Sequence, residues 1–101
     1  MTTTTTNVPE EQRWELRVDG DLAVVAEYRL DDDRITFTHT RTEPDHRGEG
    51  LARQLVDAAL ADARDRGLAV VPECPYVRKV VGEDADLVAL VPADDRDRLG
   101  L

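Results

Sequence analysis

His46-Arg47-Gly48-Glu49-Gly50-Leu51-Ala52 is the stretch whose reading decides the fold. Residues upstream of it alternate like a strand and end in a Thr-rich segment, and residues downstream carry Ala and Leu at helical spacing. The heptapeptide therefore reads as a strand-to-helix turn. Its two glycines permit a tight backbone path, and a helix starting at Leu51 would aim unpaired N–H groups at whatever occupies the turn. Those are the makings of an anion site.

Upstream, residues 13–19 alternate, with Trp14, Leu16 and Val18 on one face and Arg13, Glu15, Arg17 and Asp19 on the other, as in a half-exposed strand. Asp19-Gly20 is a hairpin signal, and residues 22–30 form a second strand with apolar residues on both faces. Asp31-Asp32-Asp33 reads as a solvated turn, because it lacks the alternating ligands and later Glu of a calcium loop; no metal site is expected. Residues 34–42 make a third strand, with Ile35, Phe37 and His39 on one face and Thr36, Thr38 and Thr40 on the other. Three strands joined by short turns form an antiparallel meander.

Downstream, Leu51, Leu55, Ala58, Ala59 and Ala63 recur at helical spacing from residue 51 to about 66, and Gly67 stands where a C-cap belongs. Residues 68–71 form a short apolar strand ended by Pro72. Strand, helix and strand imply a right-handed crossover with Val70 alongside Thr38. Pro75 suits the first turn of a short second helix over residues 76–81. Residues 86–91 read as a last strand or extended tail. The fold class expected is α+β, with α/β character: a mixed sheet, its N-terminal antiparallel meander followed by a β-α-β crossover, one main helix and a short second one. The expected organisation is a disordered tail over residues 1–10, where the threonine run shows no periodicity, a single domain over 11–93, and a frayed charged end over 94–101.

Composition narrows the function classes. With 101 residues there is room for one modest core, and 41% hydrophobic residues mark it as globular. No apolar run approaches the ~20 residues of a membrane span, and no basic-then-apolar leader opens the chain, so the expectation is a soluble cytoplasmic protein without a membrane partner. One cysteine makes no internal disulfide. A formal net charge of −9 argues against nucleic acid as a partner. An anionic ligand would need a local site that outweighs the global field, such as Arg47 beside a helix N-terminus.

A dinucleotide fold would need G-x-G-x-x-G after the first strand, and a P-loop would need Gly-Lys-Ser/Thr; neither is present. What survives is Arg47-x-x-Gly50-x-Ala52, whose main-chain amides could cradle a pyrophosphate without a cationic cluster. In this context Arg47-Gly48-Glu49-Gly50-Leu51-Ala52 resembles the acetyl-coenzyme A signature of the GNAT N-acetyltransferase superfamily, [RQ]-x-x-G-x-[GA]. His39-Thr40 before it, and Val71-Pro72-Glu73-Cys74-Pro75-Tyr76-Val77 after it, resemble the minimal single-domain YjdJ-like members of that superfamily. The similarity runs over about residues 22–91.

The resemblance implies a GNAT-type fold and an acetyl-CoA-dependent N-acetyltransferase. It implies that the amides of Arg47, Gly48, Glu49, Gly50, Leu51, Ala52 and Arg53 hold the cofactor's pyrophosphate. It also implies that the backbone of Thr40, Arg41 and Thr42 pairs with the pantetheine arm. His46 and Arg53 could add charge near the phosphates or serve as solvated surface groups. Cys74 is the candidate nucleophile implied for the minimal group; attack needs a thiolate, which a helix starting at Pro75 would favour. The competing reading is a buried cysteine acting as a small hydrophobe. His39 is the candidate general base, for an acceptor amine or for Cys74, against the reading of a core-edge histidine. Glu43 and Glu73 read as surface carboxylates. The sequence departs from the group in carrying Gly82-Glu83-Asp84-Ala85 where a His-Pro pair often follows the short helix. It also lacks the N-terminal helices that wall the substrate in larger GNAT enzymes, which implies an open cofactor groove.

Three functions remain open on these residues. One is acetyl transfer to an amine acceptor, with a protein or peptide among the candidates, directly or through acetyl-Cys74. A second is a non-catalytic acyl-CoA-binding or regulatory module, and a third is a plain interaction domain. The acceptor and the oligomeric state are not encoded in any motif.

Overall fold

The computed structural model describes residues 2–101. Five strands form one sheet in the order β1-β2-β3-β4-β5: β1 Thr3–Val8, β2 Arg13–Val18, β3 Asp21–Asp31, β4 Arg34–Thr42 and β5 Ala69–Pro72. The first four pair antiparallel and β5 pairs parallel to β4. The helices are α1 Leu51–Asp65, α2 Pro75–Gly82, α3 Ala85–Val88 and α4 Ala93–Leu99. The expected meander, main helix, crossover strand and short second helix are all present, in an α+β mixed sheet.

The meander follows its turn chemistry. Asp19 and Gly20 both take positive φ, 49° and 90°, as a tight two-residue hairpin requires. Helix α1 lies on one face of the sheet because Leu51, Leu55, Val56, Ala59, Leu60 and Ala63 form a buried stripe. They share a core with Leu16, Val24, Ala26 and Phe37. Tyr28 and Phe37 meet edge-on within it, at 6.3 Å between ring centroids.

Five expectations are corrected. The threonine run is not a disordered tail: residues 3–8 form β1, paired residue for residue with β2. Threonine is β-branched and suits a strand, and low complexity concealed that propensity. (Met1 lies outside the described residues.) Tyr28 donates to Asn7 Oδ1 at 2.6 Å, and Gln54 Nε2 donates to Thr3 Oγ1 at 3.1 Å, which ties β1 to the body.

Residues 86–91 are not a strand, and residues 94–101 are not frayed. Asp84 caps α3 by accepting from the Asp86 N–H at 2.9 Å. In α4, Asp94 and Asp95 occupy the first turn, Arg96 and Arg98 the last, and Gly100 ends it at φ 74°. That order complements the helix dipole. The segment between these helices still supports the sheet, since the Val70 N–H donates to Leu90 O at 3.0 Å and Val91 is buried.

The parallel register also differs: Val70 lies opposite Ile35, not Thr38. Pairing ends at Phe37 and Pro72, with one further bond from the Cys74 N–H to Phe37 O at 2.9 Å. Beyond that point β4 and β5 part.

The fifth correction concerns His39. Between Glu27 and Tyr28 of β3 the partner strand carries one extra residue, Thr38. This bulge slips the alternation of β4 by one. Ile35 and Phe37 are buried, yet it is Thr40, rather than His39, that reaches the core side, and His39 is exposed on the opposite face.

Candidate active site

The loop from β4 to α1 first makes a single 3-10 turn over Pro44–His46. It then passes through Gly48 and Gly50, at φ 80° and 72°. An L-side chain at either position would be strained. Gly50 is the N-cap of α1 and supplies no capping side chain, and no acidic residue occupies the first turn. The first intrahelical bond is Gln54 N–H to Gly50 O, at 3.3 Å. Among the described residues the N–H groups of residues 48–53 donate to no other group. A 15-residue helix thus presents its positive end and a row of free donors.

These donors open on a cavity of about 230 Å³. Of the expected cofactor residues, Thr42, Arg47, Gly48, Gly50, Leu51, Ala52 and Arg53 line it; Thr40, Arg41 and Glu49 do not. A Cβ added to Gly48 or Gly50 would meet no atom within 4 Å and would project into open space. The cradle therefore fits an anion that approaches the backbone closely, as a pyrophosphate does.

The charges around the cavity are not equivalent. Arg53 is bound to Asp57 at 3.0 Å and to Glu83 at 2.9 Å, so it fastens α1 to the end of α2. His46 Nδ1 lies 3.3 Å from Glu49 Oε1. Among the described residues, Arg47 makes no ion pair and remains free for a ligand. Glu49 sets a carboxylate on the turn that would hold an anion. Glu49→Gln is accordingly expected to tighten coenzyme A binding about three- to tenfold by removing like-charge repulsion. Calorimetric titration measures this; unchanged or weaker affinity would mean that Glu49 faces away from the phosphates.

The parting of β4 and β5 is the second half of the site. Thr40, Arg41 and Thr42 belong to the part of β4 that β5 leaves unpaired, so their outward backbone groups are available to an extended ligand. Cys74, the residue preceding α2, is 4% exposed, and its Sγ is 3.5 Å from Thr40 Oγ1. Arg78 secures the segment that carries it, with Nε and Nη2 donating to the carbonyls of Pro72 and Glu73 at 3.3 and 3.0 Å. Arg98 of α4 adds a 2.9 Å bond to the Glu73 carboxylate. Thr40, then, and not His39, is the side chain brought to the thiol. Glu43 is partnered by Arg41 at 3.5 Å.

Sequence reasoning missed two residues. Tyr76, in the first turn of α2, lines the cavity together with the glycine turn. An aromatic directly after a first-turn proline, at a strand-to-helix junction, was the available signal. Thr40 was assigned only through its backbone, because straight alternation aimed its side chain away from Cys74. No group of three or more His, Cys, Asp or Glu able to hold a metal is found among the described residues.

These features define an α+β domain whose mixed sheet splays beside an uncapped helix N-terminus. Within it, residues 13–90 match the family model described as GCN5-related N-acetyl-transferase. The chain belongs to the GCN5-related N-acetyltransferase family. It is similar to the ribosomal-protein-S18-alanine N-acetyltransferase from Escherichia coli, at 25% identity and TM-score 0.56, covering 61% of this chain and 42% of that one. It is similar also to a ribosomal-protein-alanine N-acetyltransferase from Brucella melitensis biovar Abortus 2308, at 26% identity and TM-score 0.52, covering 70% and 60%. The match therefore spans less than two thirds of the length of either. No curated protein sequence matches the chain.

Proposed function

We propose that the protein transfers an acetyl group from acetyl-coenzyme A to an amine. The observation that carries this reading is the uncapped N-terminus of α1, opening through two positive-φ glycines onto a cavity beside the parted strands. The free N–H groups of residues 48–53, with Arg47, would hold the pyrophosphate of the cofactor. The outward backbone of Thr40, Arg41 and Thr42 would pair with its pantetheine arm, which directs the thioester toward Thr40 and Cys74. Bound there, acetyl-coenzyme A supplies an activated carbonyl and a thiolate leaving group.

Transfer requires that the amine lose a proton and that the departing thiolate gain one. Tyr76 lines the cavity, and its hydroxyl can supply the second proton. His39 is exposed on the face away from α1 and can take the first from an acceptor arriving there. In this arrangement His39 serves the amine and leaves Cys74 to Thr40. A two-step route would pass through acetyl-Cys74.

Both structural neighbours are named for acting on ribosomal-protein alanine. A protein or peptide amine is therefore the acceptor we favour, with the cytoplasm as its compartment. No described helix is long and apolar enough to cross a membrane.

Two measurements test the reading. Calorimetry should detect coenzyme A binding, and a panel of peptide amines with acetyl-coenzyme A should release free thiol. Binding without release on any amine would replace the enzyme with a non-catalytic acyl-CoA-binding module, and no binding at all would leave only an interaction domain. Intact mass after incubation with acetyl-coenzyme A separates the routes. Cys74→Ser is expected to abolish any acetylated species if the thiol is the carrier. Full turnover by that variant would restrict Cys74 to packing.

A further inference from the structure

The sheet has two unlike edges. Strand β5 is short, and its outer side is covered where the Val70 N–H meets Leu90 O. At the other edge, no described strand pairs on the outer side of β1. Edge strands are ordinarily protected by charge, proline or a bulge. Residues 3–8 carry none of these: the sequence is Thr-Thr-Thr-Thr-Asn-Val, paired to β2 without a register shift. In a chain that is 35% charged, this strand has no charged side chain.

Its outward hydrogen-bonding groups can be assigned. The Asp19 N–H donates to Thr2 O at 2.8 Å, and the Thr2 N–H donates to Asp19 Oδ1 at 2.9 Å, so Thr2 faces β2. Antiparallel alternation then turns Thr4, Thr6 and Val8 toward β2, and aims the N–H and C=O of Thr3, Thr5 and Asn7 away from it. Three alternate residues form a self-complementary set. A two-fold axis through Thr5 sets Thr5 against Thr5 and Thr3 against Asn7, each pair exchanging both N–H···O bonds.

We infer that β1 pairs antiparallel with β1 of a second copy, joining the two sheets into one of ten strands. A second copy is favoured over a charged partner because the edge is neutral, so two such strands meet without repulsion between facing side chains. Repulsion comes only from the flanks. The same two-fold brings the Asp19–Asp21 hairpin of one copy toward Glu10 and Glu11 of the other, and each chain carries a net charge of −9. Strand pairing alone covers less surface than a standard stable interface, so the dimer is weak and concentration-dependent. Raising salt from ~10 mM to ~0.15 M, which shortens the reach of these charges from ~30 to ~8 Å, strengthens it. Because β2 and β3 stand between β1 and β4, the cavity is untouched and the inference does not depend on acetyl transfer.

Sedimentation velocity on the full chain, over a concentration series at both salt levels, tests this. The expected result is a monomer–dimer equilibrium with at least a threefold lower dissociation constant at the higher salt. Thr5→Lys, at an exposed position whose backbone does not pair with β2, should abolish the dimer and leave the melting temperature and coenzyme A affinity unchanged. Thr5→Pro removes one outward N–H and should act alike, giving a second variant if either folds poorly. A monomer at every concentration and salt would overturn the inference, and so would a dimer that Thr5→Lys leaves intact or that high salt dissolves. A monomer that takes up an extended peptide along β1 would reassign the edge to that ligand.

Discussion

Gly50→Val is expected to weaken coenzyme A binding by roughly 100-fold or more, the largest effect of any single change at the cavity. Gly50 holds φ 72° as the N-cap of α1. A β-branched residue is a rare outlier in that region, and even an unbranched L-residue there costs about 1–2 kcal/mol. The chain can respond in two ways. If the backbone keeps its path, the new side chain projects into the open space that would hold the ligand. If it relaxes to negative φ, the N–H groups of Leu51, Ala52 and Arg53 turn away from it. Each hydrogen bond from an amide to a charged group is worth about 1.5–3 kcal/mol, so losing two exceeds the ~2.7 kcal/mol that corresponds to 100-fold.

Strain alone would also lower stability, so the comparison must separate the two effects. Gly67 holds φ 71° with nothing within 4 Å of a built Cβ, at the far end of α1. Gly67→Val should therefore melt lower by a similar amount, about 4–8 °C per kcal/mol for a domain of this size, yet bind coenzyme A normally. Calorimetric affinity beside a melting curve for both variants decides the matter. If both lose binding alike, the glycine turn is structural and the cradle lies elsewhere.

The parts of this fold that the sequence displays are those with an uninterrupted period. Strand β4 and the α1 stripe are legible because Ile35 and Phe37, and Leu51, Leu55 and Ala59, repeat at one spacing. The glycine turn is legible because few backbones need two glycines at a strand-to-helix junction. The bulge at Thr38 is not. It changes which residue faces the core without changing residue type, so Ile35-x-Phe37-x-His39 continues a period that the strand itself abandons. The cost of that slip falls on the site, where it exchanges His39 for Thr40 beside Cys74. Helix α4 was written in its capping order and hidden by its charge density. Burial by long side chains is the other thing a pattern cannot display, and Glu15 is its example.

Glu15 stands among polar alternates of β2, Arg13 and Arg17, yet it is 6% exposed. Arg13 Nε and Nη2 reach its Oε2 at 2.8 and 2.7 Å, and Arg17 Nη2 reaches Oε1 at 3.0 Å. Burial pushes this carboxyl up, but the hydrogen bonds from the two guanidinium groups outweigh it and hold it below its ordinary value. The unfolded chain therefore binds a proton at Glu15 more readily than the folded one. The stability this carboxylate contributes is present above the ordinary value of 4.5 and is lost as pH falls through the lowered folded value. Removing one partner of a fully buried pair costs about 3–5 kcal/mol. Here the Arg17 side chain is 43% exposed and the Arg13 side chain 28% exposed, so water screens part of the interaction. Glu15→Gln, which keeps the shape and removes the charge, is accordingly expected to destabilise the protein by about 2 kcal/mol at neutral pH. Urea unfolding of parent and variant at pH ~7 and pH ~3 measures it, because the difference between them isolates this carboxyl from the others that titrate in acid. The gap should narrow at the lower pH. A gap that stays constant would assign the loss to packing of the amide, and no gap at pH ~7 would mean that the two arginines are as well satisfied by water as by Glu15.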